Sequence, residues 1–152
     1  MSDDDLRDAN TKLVRAYIDA INAWDFDAMR GMLAEDFVFE QMFAPPGMDS
    51  RFEGRESLLE FQKSFVDTIK TENLHDVQLE TLYSDPGEIV ATYRSDMEFS
   101  DPGMEYRNKY ICRFTVREGC ITAFKEYYDP VPLILTFGGT VESPFGSPAD
   151  TT

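Results

Sequence analysis

The chain has 152 residues, 42% of them hydrophobic and 13% aromatic, enough for one domain with one sizeable core and no second. A formal net charge of −15 argues against nucleic acid and against anionic membrane surfaces, because Lys and Arg are scattered and form no basic stripe. No apolar run is long enough to span a bilayer, and the opening Met1-Ser2-Asp3-Asp4-Asp5 is acidic, the opposite of a signal peptide's n-region, so a cytoplasmic protein is expected.

Between Asp5 and Ala23, Leu6, Leu13, Val14, Tyr17, Ile18 and Ile21 recur at helical spacing and predict an amphipathic first helix. Asp25 caps a short second helix carrying Phe26, Met29, Met32 and Leu33, which ends before an aromatic-rich strand, Phe37 to Phe43. Ala44 to Phe52, with Pro45, Pro46 and Gly47, reads as a loop. Gly54 precedes a third helix through Leu58, Leu59, Phe61, Phe65 and Ile69, after which no strong helix pattern follows. Strands come next, about Leu74 to Tyr83, Ile89 to Phe99, Met104 to Val116 and Cys120 to Tyr128. They are separated by turns at Asp85-Pro86-Gly87, Asp101-Pro102-Gly103 and Arg117-Glu118-Gly119. Helices followed by an antiparallel meander predict an α+β domain over residues 1–136, with three N-terminal helices on one face of a curved, mostly antiparallel sheet. Residues 137–152, rich in Gly, Pro, Ser and Thr, read as a mobile tail or strap that carries no chemistry.

Strand alternation selects the inner face. In Met104 to Val116 the even positions are Met104, Tyr106, Asn108, Tyr110, Cys112, Phe114 and Val116, and the odd ones carry Glu105, Arg107, Lys109 and Arg113. The even face points inward, with Asn108 and Cys112 as polar groups needing partners or a cavity. In the last strand Phe124, Glu126 and Tyr128 form one set, and Ile121, Ala123, Lys125 and Tyr127 the other, which Lys125 marks as outward. Glu126 therefore stands among aromatic rings, where desolvation raises a carboxyl towards neutrality and suits it to acid/base work. Cys112 and Cys120 lack metal-ligand spacing and His75 is the only histidine, so no metal site is expected.

The order of elements and the string Ala16-Tyr17-Ile18-Asp19-Ala20-Ile21-Asn22-Ala23 resemble the nuclear transport factor 2-like superfamily, which includes ketosteroid isomerases, SnoaL-like polyketide cyclases and limonene epoxide hydrolases. The resemblance covers about Leu6 to Pro132 and implies a cone-shaped sheet, a homodimer and no cofactor. Tyr17 stands where the isomerases have their oxyanion-hole tyrosine, but Gln41 replaces their aspartate base and Cys112 their second acid, so that mechanism does not carry over. Arg94-Ser95-Asp96 is similar to the Arg-x-Asp of limonene epoxide hydrolases, whose second aspartate falls at Glu126 and whose water-holding tyrosine and asparagine fall at Phe39 and Gln41. The stretch Tyr106 to Phe114 looks like PhzA/B proteins, which keep a glutamate at the position of Glu126 and an aspartate at that of Asp96.

The resemblance thus implies Glu126 as base, Asp96 as acid and Arg94 orienting both, with Tyr17, Phe39, Gln41, Tyr106, Asn108, Tyr110 and Tyr128 as substrate-binding residues. His75 reads as a surface or structural histidine, with a catalytic role open to it as the only imidazole. The expected activity is cofactor-independent acid/base chemistry on a small hydrophobic molecule by isomerisation, cyclisation, dehydration or bond cleavage. Epoxide hydrolysis and a noncatalytic ligand-binding or dimerisation module are the alternatives. The homodimer contact is expected on the outer sheet face, through Lys109, Ile111, Arg113 and Tyr127.

Overall fold

The computed structural model describes residues 1–146. Helix α1 (Asp3–Asn22) begins at a capping box in which the Ser2 hydroxyl accepts from the Asp5 amide and the Asp5 carboxylate accepts from the Ser2 amide. It buries Val14, Tyr17, Ile18 and Ile21, and α2 (Phe26–Met32), capped by Asp25, leads directly into β1 (Leu33–Gln41). The short β2 (Arg51–Glu53) precedes α3 (Arg55–Lys63). The third helix stops at Lys63, short of the expected Ile69, because Ser64 to Thr68 close into successive turns. Ile69 instead opens β3 (Ile69–Thr71), followed by β4 (Leu74–Leu82), β5 (Asp85–Phe99), β6 (Tyr106–Arg117) and β7 (Cys120–Tyr128).

The sheet runs β2-β1-β7-β6-β5-β3, with β4 also on β5, and every pair is antiparallel except β1 with β7. It curls around α1 and α3 as the cone-shaped α+β fold. Its apolar floor contains Tyr17, Phe37, Phe114, Ile121 and Phe124, with Phe114 and Phe124 stacked at 4.2 Å between ring centroids.

Two local features depart from the sequence reading. A bulge between Thr115 and Val116 shifts the β6–β7 register by one, so Ile121 is fully buried although it was expected to face outward with Lys125. A fourth helix, α4 (Pro130–Thr136), follows the last strand, with Asp129 accepting from the Val131 amide and Pro130 at its first position. Beyond it Phe137 packs edge-on to Phe65 and Phe99, so the segment read as a tail without chemistry contributes to the interior wall. Residues 147–152 of that segment lie outside the described residues. No helix among the described residues is long and apolar enough to cross a membrane.

Candidate active site

A cavity of about 100 Å³ lies between the inner sheet face and α1, α3 and α4. A water needs about 10–15 Å³ on this measure, so the space suits several waters or one small ring compound. Its walls are aromatic, with Phe39, Tyr93, Tyr106, Tyr110, Phe124 and Tyr128 from the sheet, Phe61 from α3, and Phe137 from the end of the chain. Two ionisable side chains other than tyrosines stand in it, Glu72 and Glu126, and no Lys, Arg or His lines it among the described residues.

Glu126 reaches the cavity by the alternation of β7. Its backbone is fixed on both sides, by pairing with Cys112 on β6 and Gln41 on β1 and by the Met42 amide donating to its carbonyl at 3.0 Å. Glu72 arrives by a different route. It sits at the break between β3 and β4, where Asn73 takes a left-handed backbone (φ 47°), a conformation Asn tolerates better than most residues. The break is clamped from α1: the Leu74 amide donates to Asn22 Oδ1 at 2.7 Å, Asn22 Nδ2 donates to the Leu74 carbonyl at 2.9 Å, and Thr71 Oγ1 donates to the Asn22 carbonyl. From β5, Ser95 Oγ donates to the Glu72 carbonyl at 2.8 Å. Thr71 pairs with Glu98 and Leu74 with Ser95, which leaves Glu72 across from the inward Met97.

Both carboxyls are half-buried in area and both line the cavity. In so small a space enclosure limits hydration more than residual area restores it. Burial lifts Glu72 from the ordinary 4.5 to about 7. Burial, and then the charge on Glu72, lifts Glu126 to about 8. The second carboxyl ionises against the first one's charge, so the two steps belong to the pair. Between them the pair holds one proton and one negative charge.

Hydrogen bonds fix the surrounding tyrosines. The Tyr106 and Tyr110 hydroxyls bond each other at 2.5 Å, and Asn108 Nδ2 donates to Tyr106 at 2.9 Å and to the Asp129 carbonyl at 2.8 Å. Tyr128 donates to Gln41 Oε1 at 2.6 Å, and Gln41 Nε2 donates to the Asp49 carbonyl, tying the β1–β2 loop to β7. The Cys112 thiol donates to Tyr93, which stacks on Tyr110. Tyr17 lies in the floor, wholly buried, with a hydroxyl that has no hydrogen-bond partner. Burial and the charges of Glu126 and Glu72 push its ionisation far above the ordinary 10.

Of the residues singled out from sequence, Glu126, Phe39, Gln41, Tyr106, Tyr110 and Tyr128 line this cavity, while Asn108 and Tyr17 stand behind it. Arg94 and Asp96 do not belong to it. The ladder Tyr93↔Tyr110, Ser95↔Asn108, Met97↔Tyr106 directs those β5 residues inward, so Arg94 and Asp96 take the opposite face. Arg94 is exposed, and Asp96 pairs with Arg107 at 3.3 Å, both about half exposed or more. The expected Asp96–Arg94–Glu126 constellation is therefore not assembled. His75 shares that outer side, opposite Arg94 and 3.3 Å from Asp76. Sequence reading missed Glu72, although it stands two residues before the buried Leu74 and so in the inward phase of the same chain direction.

A PhzA/B-like protein of Pseudomonas aeruginosa, itself uncharacterised, is 30% identical over 103 residues, covering 67% of this chain and 71% of its own. Among solved structures, a provisionally named polyketide cyclase of Xanthomonas campestris pv. campestris superposes with a TM-score of 0.73 at 28% identity, covering 86% of this chain and 98% of that one. An LEH-like epoxide hydrolase of M. tuberculosis superposes at 0.64 with 18% identity, covering 85% and 86%. At that identity the likeness shows the fold alone. With residues 14–124 matching the SnoaL-like domain, the chain belongs to the SnoaL-like family.

Proposed function

We propose that this protein is a cofactor-independent acid/base enzyme acting on a small hydrophobic, ring-bearing molecule, with Glu126 and Glu72 as its proton-handling pair. The observation that carries the reading is two carboxyls, both lifted to near neutrality, inside an aromatic cavity that offers them no cation. Near pH 7 to 8 such a pair is singly protonated, so one member accepts a proton while the other delivers one. Isomerisation, cyclisation, dehydration and bond cleavage can each be driven by taking a proton from one atom and giving one to another, the second proton going to the shifted carbon, the acceptor oxygen of ring closure, the departing water or the leaving group. The name borne by the polyketide cyclase neighbour falls in that range. Epoxide hydrolysis of the limonene type loses its arginine and first aspartate here, since Arg94 and Asp96 are on the outer face.

The test is proton exchange. The protein is incubated in D2O with a panel of small cyclic ketones, and deuterium uptake at the carbon next to the carbonyl is followed by mass spectrometry. Glu126→Gln and Glu72→Gln should each lower the exchange rate by about 10²-fold or more. Exchange undiminished in both variants would remove the pair from the chemistry. The proposal includes a homodimer through the outer face of β6 and β7, where Ile111 is 59% exposed. Sedimentation giving monomer at every concentration would remove that part.

A further inference from the structure

Glu72, Glu126 and Gln62 present polar groups to the cavity that no protein group satisfies. Neither carboxyl has a hydrogen-bond donor among the described residues, and the buried Gln62 Oε1 on α3 is also without a partner. Of the donors nearby, Tyr128 is committed to Gln41, Asn108 to Tyr106 and a carbonyl, and the Cys112 thiol to Tyr93, while the Tyr93 hydroxyl and one hydroxyl of the Tyr106–Tyr110 pair keep a free proton. Those hydroxyls serve neutral ligands, whereas an ionised carboxyl in a cavity without a basic side chain is best met by a ligand that brings a charged N–H group. The walls select its charge. Tyr93, Tyr110 and Phe124 line the cavity, aromatic rings attract cations, and no basic side chain lines it among the described residues. The formal charge of −15 repels anions on approach and draws cations in.

We propose that the cavity takes a compact organic cation, a protonated amine on a ring-sized apolar body, with its N–H groups directed to Glu72, Glu126 and Gln62 and its body against the aromatic rings. The assignment rests on the acid/base reading and names the substrate class for it. Electroneutrality supports it: a monocation beside a singly protonated carboxyl pair leaves no net charge in a medium of low polarity, where unpaired charge is most costly. An anion there would be repelled, and a neutral hydrocarbon would leave those polar groups unmet.

The probes are benzylammonium, benzyl alcohol and benzoate, matched in shape and different in charge, measured by calorimetry in 0.5 M salt so that long-range attraction is screened. Benzylammonium should bind at least about tenfold more tightly than benzyl alcohol at pH 7.5, and benzoate should not bind. Below the first step of the pair, binding must expel a proton, so the benzylammonium Kd should weaken about tenfold from pH 6 to pH 5. The alcohol's Kd should not move. Within the cavity the expelled proton comes from the carboxyl pair. The groups facing it are Tyr17 from α1, Tyr93 from β5, Tyr106, Tyr110 and Cys112 from β6 and Tyr128 from β7, and all are displaced upward by burial. The double variant Glu72→Gln with Glu126→Gln should abolish the preference, while alcohol binding shows that the cavity persists.

Equal affinity for alcohol and ammonium, or no ammonium binding, would overturn the proposal, whereas an ammonium preference whose Kd ignores pH from 6 to 5 would overturn the raised titration of the pair instead. The two readings fail separately. Carboxyls titrating near neutrality in a protein that prefers the alcohol would sink the cation and keep the acid/base pair. Carboxyls titrating near 4.5 with ammonium preference intact would do the reverse.

Discussion

Replacing Glu126 with Gln should stabilise the folded protein at high pH. The amide keeps the shape and removes the charge that the aromatic cavity disfavours. The folded carboxyl titrates at about 8 and an unfolded one near 4.5. Over that window the native state binds more protons than the unfolded state, so stability from this group is full below about 4.5 and is lost as pH rises through about 8. Full desolvation would make the cost above pH 8 about 5 kcal/mol. Water in the cavity and a side chain only half-buried in area reduce it to about 1–3 kcal/mol. For a chain of this length that corresponds to a rise in Tm of roughly 3–10 °C. The assay is thermal unfolding by circular dichroism at pH 5 and pH 9. Glu126→Gln should match the wild type at pH 5 and exceed it at pH 9. Equal or lower stability of the variant at pH 9 would refute the claim that this carboxyl is held against its ionisation.

Three further perturbations separate the parts of the site. Arg94→Ala and Asp96→Ala should each change stability by less than about 0.5–1 kcal/mol and leave the carboxyl titrations in place, because the outer-face pair with Arg107 is exposed; loss of proton exchange in either would restore them to the site. Tyr128→Phe removes the donor to the buried Gln41 Oε1 and should cost about 1–3 kcal/mol in denaturant unfolding, with faster amide exchange across the β1–β2 loop. Asn22→Ala releases both clamps on Leu74 and should lower the titration midpoint of Glu72 by admitting water to the β3–β4 break, while the Glu126 backbone pairing stays intact.

Much of the fold and half of the site could be read from the chain, and the divide has physical causes. Glu126 was legible because β7 alternates cleanly through Phe124, Glu126 and Tyr128, and the same rule on β6 exposed Tyr106 and Tyr110. On β5 the same alternation, with Tyr93 and Met97 in one phase and Arg94, Asp96 and Glu98 in the other, points the charged set outward. The resemblance to an Arg-x-Asp motif spoke against that phase, and the ladder with β6 shows the phase to be right. Glu72 was hidden because Thr71-Glu72-Asn73 is a polar string that reads as a turn. The break that carries it is clamped through Leu74 by Asn22 on the first helix, a contact distant in the chain. Ile121 was misdirected by a single-residue bulge, and α4 was overlooked as only 7 residues long, although the Asp129-Pro130 start was visible.

The central claim is that Glu72 and Glu126 form one electrostatically coupled pair in an aromatic cavity. Its most direct test is a titration of the side-chain carboxyl carbons of ¹³C-glutamate-labelled protein by NMR, with Glu72→Gln and Glu126→Gln assigning the signals. Two coupled steps near 7 and 8 are predicted, and the Glu126 midpoint should fall in Glu72→Gln as the neighbouring charge is removed. Both carboxyls titrating independently near 4.5 would contradict the account.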